Sequence, residues 1–143
     1  MTESEISYKI RGAIYVVYNT FGPGLLESVY QEALVYQLRK DGLEVKEQEP
    51  VPIIYDGHKL SADLHLDILV NETVIIELKS VSEMKALFFK QTLTYLKLSH
   101  KHLGILVNFN TDNINTSIHR ILNGYLEIDP TDAHYNPCHP LNP

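Results

Sequence analysis

At Asp41-Gly42 the hydrophobic period of the chain changes from the helical spacing of about 3.6 residues to the extended spacing of two, and that switch constrains the fold more than any other feature. Before it, Ile6, Ile10, Ile14 and Val17, with Tyr18 beside them, mark one face of an amphipathic helix from about Ser4 to Asn19. Phe21-Gly22-Pro23-Gly24 breaks that helix, and a second runs from about Leu25 to Lys40 with Leu26, Val29, Tyr30, Ala33, Leu34 and Leu38 as its apolar members. Gly42 supplies the left-handed cap. After the switch, Leu43 to Glu47 alternates, Val51 to Tyr55 continues extended, and Asp56-Gly57 predicts a hairpin turn. Pro50 and Pro52 confine this hairpin to an edge or a bulge, because proline cannot donate to a ladder.

The next strand, Lys59 to Val70, places Leu64, Leu66, Ile68 and Val70 on one face and Asp63, His65 and Asp67 on the other. Asn71-Glu72 turns the chain into a strand from Thr73 to Lys79. Helical spacing returns from Glu83 to about His100, with Met84, Leu87, Phe88, Leu93, Leu96 and Leu98. The continuous apolar run Leu103 to Phe109 reads as a buried strand beside Thr73 to Lys79, reached by a crossover through that helix. Ile114, Ile118 and Leu122 are in phase for a short helix over Asn113 to Leu122. The expected order is ααββββαβ, an α/β (α+β) domain with a mixed sheet of about four to five strands flanked by helices.

A length of 143 residues at 44% hydrophobic content suits one compact domain, expected over residues 1–124, followed by a Pro-rich irregular tail over 125–143. No apolar stretch approaches the roughly 20 residues of a membrane span. The acidic, polar Met1 to Glu5 is unlike a secretory leader, and the single Cys138 forms no internal disulfide, so a reducing, cytoplasmic setting is expected. His134, Cys138 and His139 lack the framing structure that presets a zinc site. The formal charge of −6 opposes non-specific binding of nucleic acid by the whole surface. Lys85, Lys90, Lys97 and Lys101, with His100 and His102, nevertheless make the segment after Lys79 locally basic.

The candidate site is Asp67, Glu77 and Lys79. Glu77 and Lys79 are two apart on a strand and share a face where its apolar run gives out, while Asp67 lies on the preceding strand and can approach Glu77 across the pair. Hard cations such as Mg²⁺ or Mn²⁺ take oxygen ligands and bind through one or two carboxylates plus water and phosphate, which Asp67 and Glu77 suit. Lys79 would then position a nucleophile or stabilise a charged transition state in phosphodiester cleavage. Spacing alone also allows a simpler arrangement, a strand-end ion pair of Glu77 with Lys79 beside a solvated Asp67.

The chain resembles the GxxExxY proteins of the PD-(D/E)xK nuclease superfamily, over roughly Ile6 to Asn123. The naming motif stands as Gly24-Leu25-Leu26-Glu27-Ser28-Val29-Tyr30, within the Phe21-Gly22-Pro23-Gly24 context. The resemblance continues through Ala62-Asp63, Asp67 to Val70, Val74 to Lys79, Gln91 to Lys97 and Gly104 to Phe109. It implies the restriction-endonuclease-like fold, with Asp67 as the metal-binding aspartate, Glu77 and Lys79 as the Glu-x-Lys, and Gln91 and Tyr95 as auxiliary residues one helical turn apart. Glu27 would be a further metal ligand, or else a first-turn carboxylate favoured by the helix dipole. Gly24, Glu27 and Tyr30, at intervals of three, are expected on one helix face, with Tyr30 a core aromatic. His65 and Leu66 stand where such proteins often carry arginine and proline.

The resemblance implies Mg²⁺- or Mn²⁺-dependent hydrolysis of a DNA or RNA phosphodiester, and DNA is the partner expected ahead of RNA. The acidic composition supports an alternative, a catalytically idle relative that binds nucleic acid or a protein. A third expectation is a homodimer, with the apolar first helix and Phe88-Phe89 facing a partner.

Overall fold

The computed structural model describes residues 1–124. Helix α1, Glu3–Phe21, begins at a reciprocal cap in which Thr2 Oγ1 accepts from the Glu5 N–H and the Glu5 carboxylate accepts from the Thr2 N–H, each at 3.1 Å. It buries Ile6, Ile10, Ala13, Ile14 and Val17. Gly22, at φ 65°, ends it in a conformation that glycine adopts without a Cβ clash. Helix α2, Glu27–Lys40, buries Tyr30, Leu34, Val35 and Leu38 and closes on Gly42 at φ 90°.

The sheet follows: β1 Val45–Tyr55, β2 His58–Val70, β3 Val74–Lys79, then α3 Ala86–Ser99, β4 Leu103–Asn108, a single 3₁₀ turn Ile114–Thr116, and β5 Ile118–Leu122. Five strands lie in the order β1-β2-β3-β4-β5; β3 and β4 are parallel and the other neighbours antiparallel. The α+β class and the mixed sheet agree with the sequence. Helices α1 and α2 cover one face over Ile68, Val70, Val74, Ile76, Leu78 and Ile105. Helix α3 covers the other over Leu66, Leu69, Ile75, Leu106 and Ile121. Residues on both faces of β3 and β4 are buried, which explains their near-continuous apolar runs. No described helix is long and apolar enough to cross a membrane.

Three expectations need correction. The runs Leu43 to Glu47 and Val51 to Tyr55 are not separate strands: β1 is one strand at the sheet's edge, where Pro50 and Pro52 are tolerated, with a register shift between Pro52 and Ile54. Only three strands therefore precede α3. The helix expected over Asn113 to Leu122 is a 3₁₀ turn followed by β5, because pairing Ile118–Leu122 with β4 covers an edge that would otherwise expose its backbone. The β-branched Ile118 and Ile121 bury themselves there. Finally, Leu66 and Ile68 do not share a face. Leu64 and Leu66 pack toward α3, whereas Ile68 and Val70 pack toward α1 and α2. The face changes at Asp67, opposite Gln48: the pairs Glu47↔Ile68 and Glu49↔Leu66 flank this position, and Gln48 has φ 46°. The tail over 125–143, with His134, Cys138 and His139, lies outside the described residues.

Candidate active site

The site sits where β2 parts from β3. Backbone pairing between them covers only Ile68↔Ile76, Leu69↔Ile75 and Val70↔Val74. Where the next pair would fall, side chains take over. The Asp67 N–H donates to Glu77 Oε1 at 3.2 Å, and the Leu78 N–H donates to Asp67 Oδ2 at 3.0 Å. The two carboxylates thus satisfy strand-edge donors that would otherwise be orphaned, and in doing so they are drawn together. Beyond the fork β1 and β2 continue as a two-stranded ribbon to Asp56-Gly57.

Glu77 is 5% exposed, and its carboxyl is pushed up to about 9, first by burial and then by the charge of Asp67. Two oxygen-donor groups, one of them held away from its ionised form by burial and by its neighbour's charge, suit a hard divalent cation, whose own charge would favour the ionised form. Among the described residues, no group of three or more His, Cys, Asp or Glu side chains converges on one metal position, so the convergent pair is Asp67 and Glu77 alone.

Lys79 does not form the strand-end ion pair that spacing allowed. The ion pairs among the described residues are Lys46–Glu72, His65–Asp63 and His102–Glu3. Lys79 Nζ instead lies 4.6 Å from the centre of the Phe88 ring, a cation–π contact to the first turn of α3. Lys79 moderates the upward shift of Glu77 from nearby.

From α3, the Tyr95 hydroxyl is held above its ordinary range first by burial and then by the charges of Glu77 and Asp67. Gln91 lies one turn earlier on the same half-buried face. Glu27 is exposed in the first turn of α2, without a hydrogen bond or ion pair to the carboxylate pair. Gln31, one turn on, reaches the site: its Nε2 donates to the Asp67 carbonyl at 3.3 Å and its Oε1 accepts from Gln48 Nε2 at 3.3 Å.

The expected common face of Gly24, Glu27 and Tyr30 is not formed, because Gly24 precedes the helix at φ 104° and Tyr30 is fully buried while Glu27 faces solvent. Tyr30 is the core aromatic expected. Its ring stacks on Phe109 at 4.5 Å, and its hydroxyl donates to the Gly22 carbonyl at 2.6 Å and accepts from the Leu25 N–H at 3.1 Å. This ties down the turn that leads into α2. Ser80 Oγ donates to the Leu25 carbonyl, joining that turn to the end of β3.

Two further positioning residues escaped sequence reasoning, Gln31 and Asn108. Asn108, 5% exposed, accepts from the Val81 and Asn110 N–H groups at 3.1 Å each and donates to the Val81 carbonyl at 3.0 Å. It clamps the chain leaving Lys79 to the end of β4. A polar residue closing an otherwise apolar strand was the available signal.

The comparison with curated proteins gives no match, nor does the comparison with solved structures. A family model described as the PD-(D/E)XK nuclease superfamily matches residues 4–121. That span runs from the first turn of α1 into β5 and holds Asp67, Glu77 and Lys79 at the fork, and on this match the chain belongs to the PD-(D/E)XK nuclease superfamily.

Proposed function

We propose that the protein is a divalent-metal-dependent nuclease that hydrolyses nucleic-acid phosphodiester bonds at the β2–β3 fork, with DNA expected as the substrate ahead of RNA. The observation that carries this reading is the exchange of backbone pairing for two converging carboxylates, with a lysine beside them that pairs with neither. Asp67 and Glu77 would hold Mg²⁺ or Mn²⁺; Glu27, exposed at the start of α2, does not converge with them. When bound, the ion supplies charge neutralisation at the phosphate and a water of lowered pKa.

The protein's own groups divide the rest of the task. Lys79, steadied on Phe88, offers its ammonium to the phosphate or the attacking water. Tyr95, whose hydroxyl is protonated at neutral pH, can donate a hydrogen bond, and Gln91 adds an amide from the same helix face. Gln31 and Asn108 hold the strands that carry the reacting groups. The narrower GxxExxY affiliation is supported by Gly24, Glu27 and Tyr30 together with the role of Tyr30 in fixing the turn before α2.

The test is cleavage of plasmid and of single-stranded DNA and RNA by purified protein with Mn²⁺. The parent should cut, Asp67→Ala should not, and Lys79→Ala should cut far more slowly. A parent that fails to cut any of these, indistinguishable from both variants, would leave the idle binding module as the surviving reading.

A further inference from the structure

Phe88 and Phe89 do not form the outward patch that the sequence suggested; both are half-buried against the core under α3. The uncovered apolar surface is elsewhere, on the outer face of the α1–α2 layer. On α1, Tyr8, Gly12, Val16 and Thr20 are exposed at intervals of four, an uncharged stripe. On α2, Val29 and Tyr36 are exposed, Tyr36 by 69%. A groove of about 410 Å³ runs between the helices, with Val16, Phe21, Val29 and Tyr36 along it.

The charges around Tyr36 say what fits there. Glu32 lies one turn before it and Lys40 one turn after, so the three share a face of α2. Both charged side chains are exposed, and neither forms an ion pair among the described residues. An acidic residue four places before an aromatic and a basic one four places after is self-complementary under a two-fold axis. If two α2 helices cross antiparallel at Tyr36, each Glu32 meets Lys40 of the partner subunit.

We propose that this face binds a second copy of the chain, in an isologous dimer centred on Tyr36 with reciprocal Glu32–Lys40 pairs. The formal charge of −6 opposes unspecific self-association, so a dimer of this chain needs such local complementarity as well as apolar burial. The proposal does not depend on the nuclease reading, since the face is formed by the helices' outward side and not by the fork.

Light scattering on the full chain at about 50 µM, in the range where a micromolar Kd is visible, should give twice the 16.3 kDa chain mass. Tyr36→Glu should give a monomer with unchanged circular dichroism. Glu32→Lys and Lys40→Glu should each weaken association by about 10-fold or more, since each sets like charges opposite one another. The double reversal Glu32→Lys/Lys40→Glu should restore it. A monomeric parent, a dimer that persists in Tyr36→Glu, or a double reversal no tighter than the single ones would each overturn the proposal.

Discussion

Along its β4 edge, β3 keeps parallel register through six consecutive pairs, from Val74↔Leu103 to Lys79↔Asn108, whereas along its β2 edge backbone pairing stops after three. One edge spends its donors on a neighbouring backbone, and the other hands two bonds to the side chains of Asp67 and Glu77. The two edges of a single strand thus satisfy their backbone in different ways. A carboxylate near the middle of a closed ladder would have no such use, since the backbone would already be satisfied and the sheet would leave no gap. The difference teaches that a sheet can bring two carboxylates together by ending one ladder early while its neighbour continues.

The largest effect is expected from the open edge. Glu77→Gln should reduce cleavage to background while raising thermal stability without metal, because the amide keeps an acceptor for the Asp67 N–H and removes a buried carboxyl facing another. The sign follows from linkage. Burial and the charge of Asp67 push the folded carboxyl up to about 9 from an ordinary 4.5, so the fold binds this proton more tightly than the unfolded chain, and its stabilising share is lost as pH rises from 4.5 toward 9. Metal-free melting temperature should therefore fall across that window in the parent and fall less in Glu77→Gln, and Mn²⁺ should raise it only in the parent. A variant with the parent's pH slope would show that Glu77 is not the strained group.

Lys79→Ala should come next, with a loss of about 10²–10³-fold in cleavage rate, the scale seen when one charge-stabilising donor is removed. Its melting curve should stay close to the parent's, and activity within about twofold of parent would remove lysine from the reaction.

The closed edge responds in the opposite currency. Ile105→Ala, on β4 opposite Ile76, should destabilise the fold by about 2–5 kcal/mol through lost burial and a cavity, with cleavage per folded molecule unchanged. Denaturant titration alongside active-fraction rates would show whether the separation holds; an equal fall in both would break it.

The smallest effect is expected at Gln31→Leu, which removes the bond to the Asp67 carbonyl. A loss of about 0.5–1.5 kcal/mol and a several-fold slower rate should follow, with divalent-ion affinity weakened in calorimetry. A change in stability alone would make Gln31 a packing residue only.

What could be read from the sequence was what is local. The faces of α1 and α2 follow from spacing, and Glu77 and Lys79 were found because residues two apart on a strand must point the same way. The antiparallel approach of Asp67 to Glu77 was legible because only a tight turn separates their strands. The face change at Asp67 was not, since it depends on Gln48, on a different strand, adopting φ 46°. Nor was β5, whose Ile114, Ile118 and Leu122 imitate helical spacing and whose fate is decided by the unpaired edge of β4. Gln31 and Asn108 reach their targets across 36 and 27 residues, and neutral amides carry no charge pattern to betray such contacts.

The early end of the β2–β3 ladder also bears on how the molecule assembles. The contacts that draw Asp67 and Glu77 together span 10 and 11 residues, so a single hairpin is enough to form them. The parallel pairing of Val74 with Leu103 must wait for the whole α3 crossover to close. The hairpin alone is thus sufficient to bring the two acidic groups together, whereas their burial needs the sheet that the α3 crossover completes.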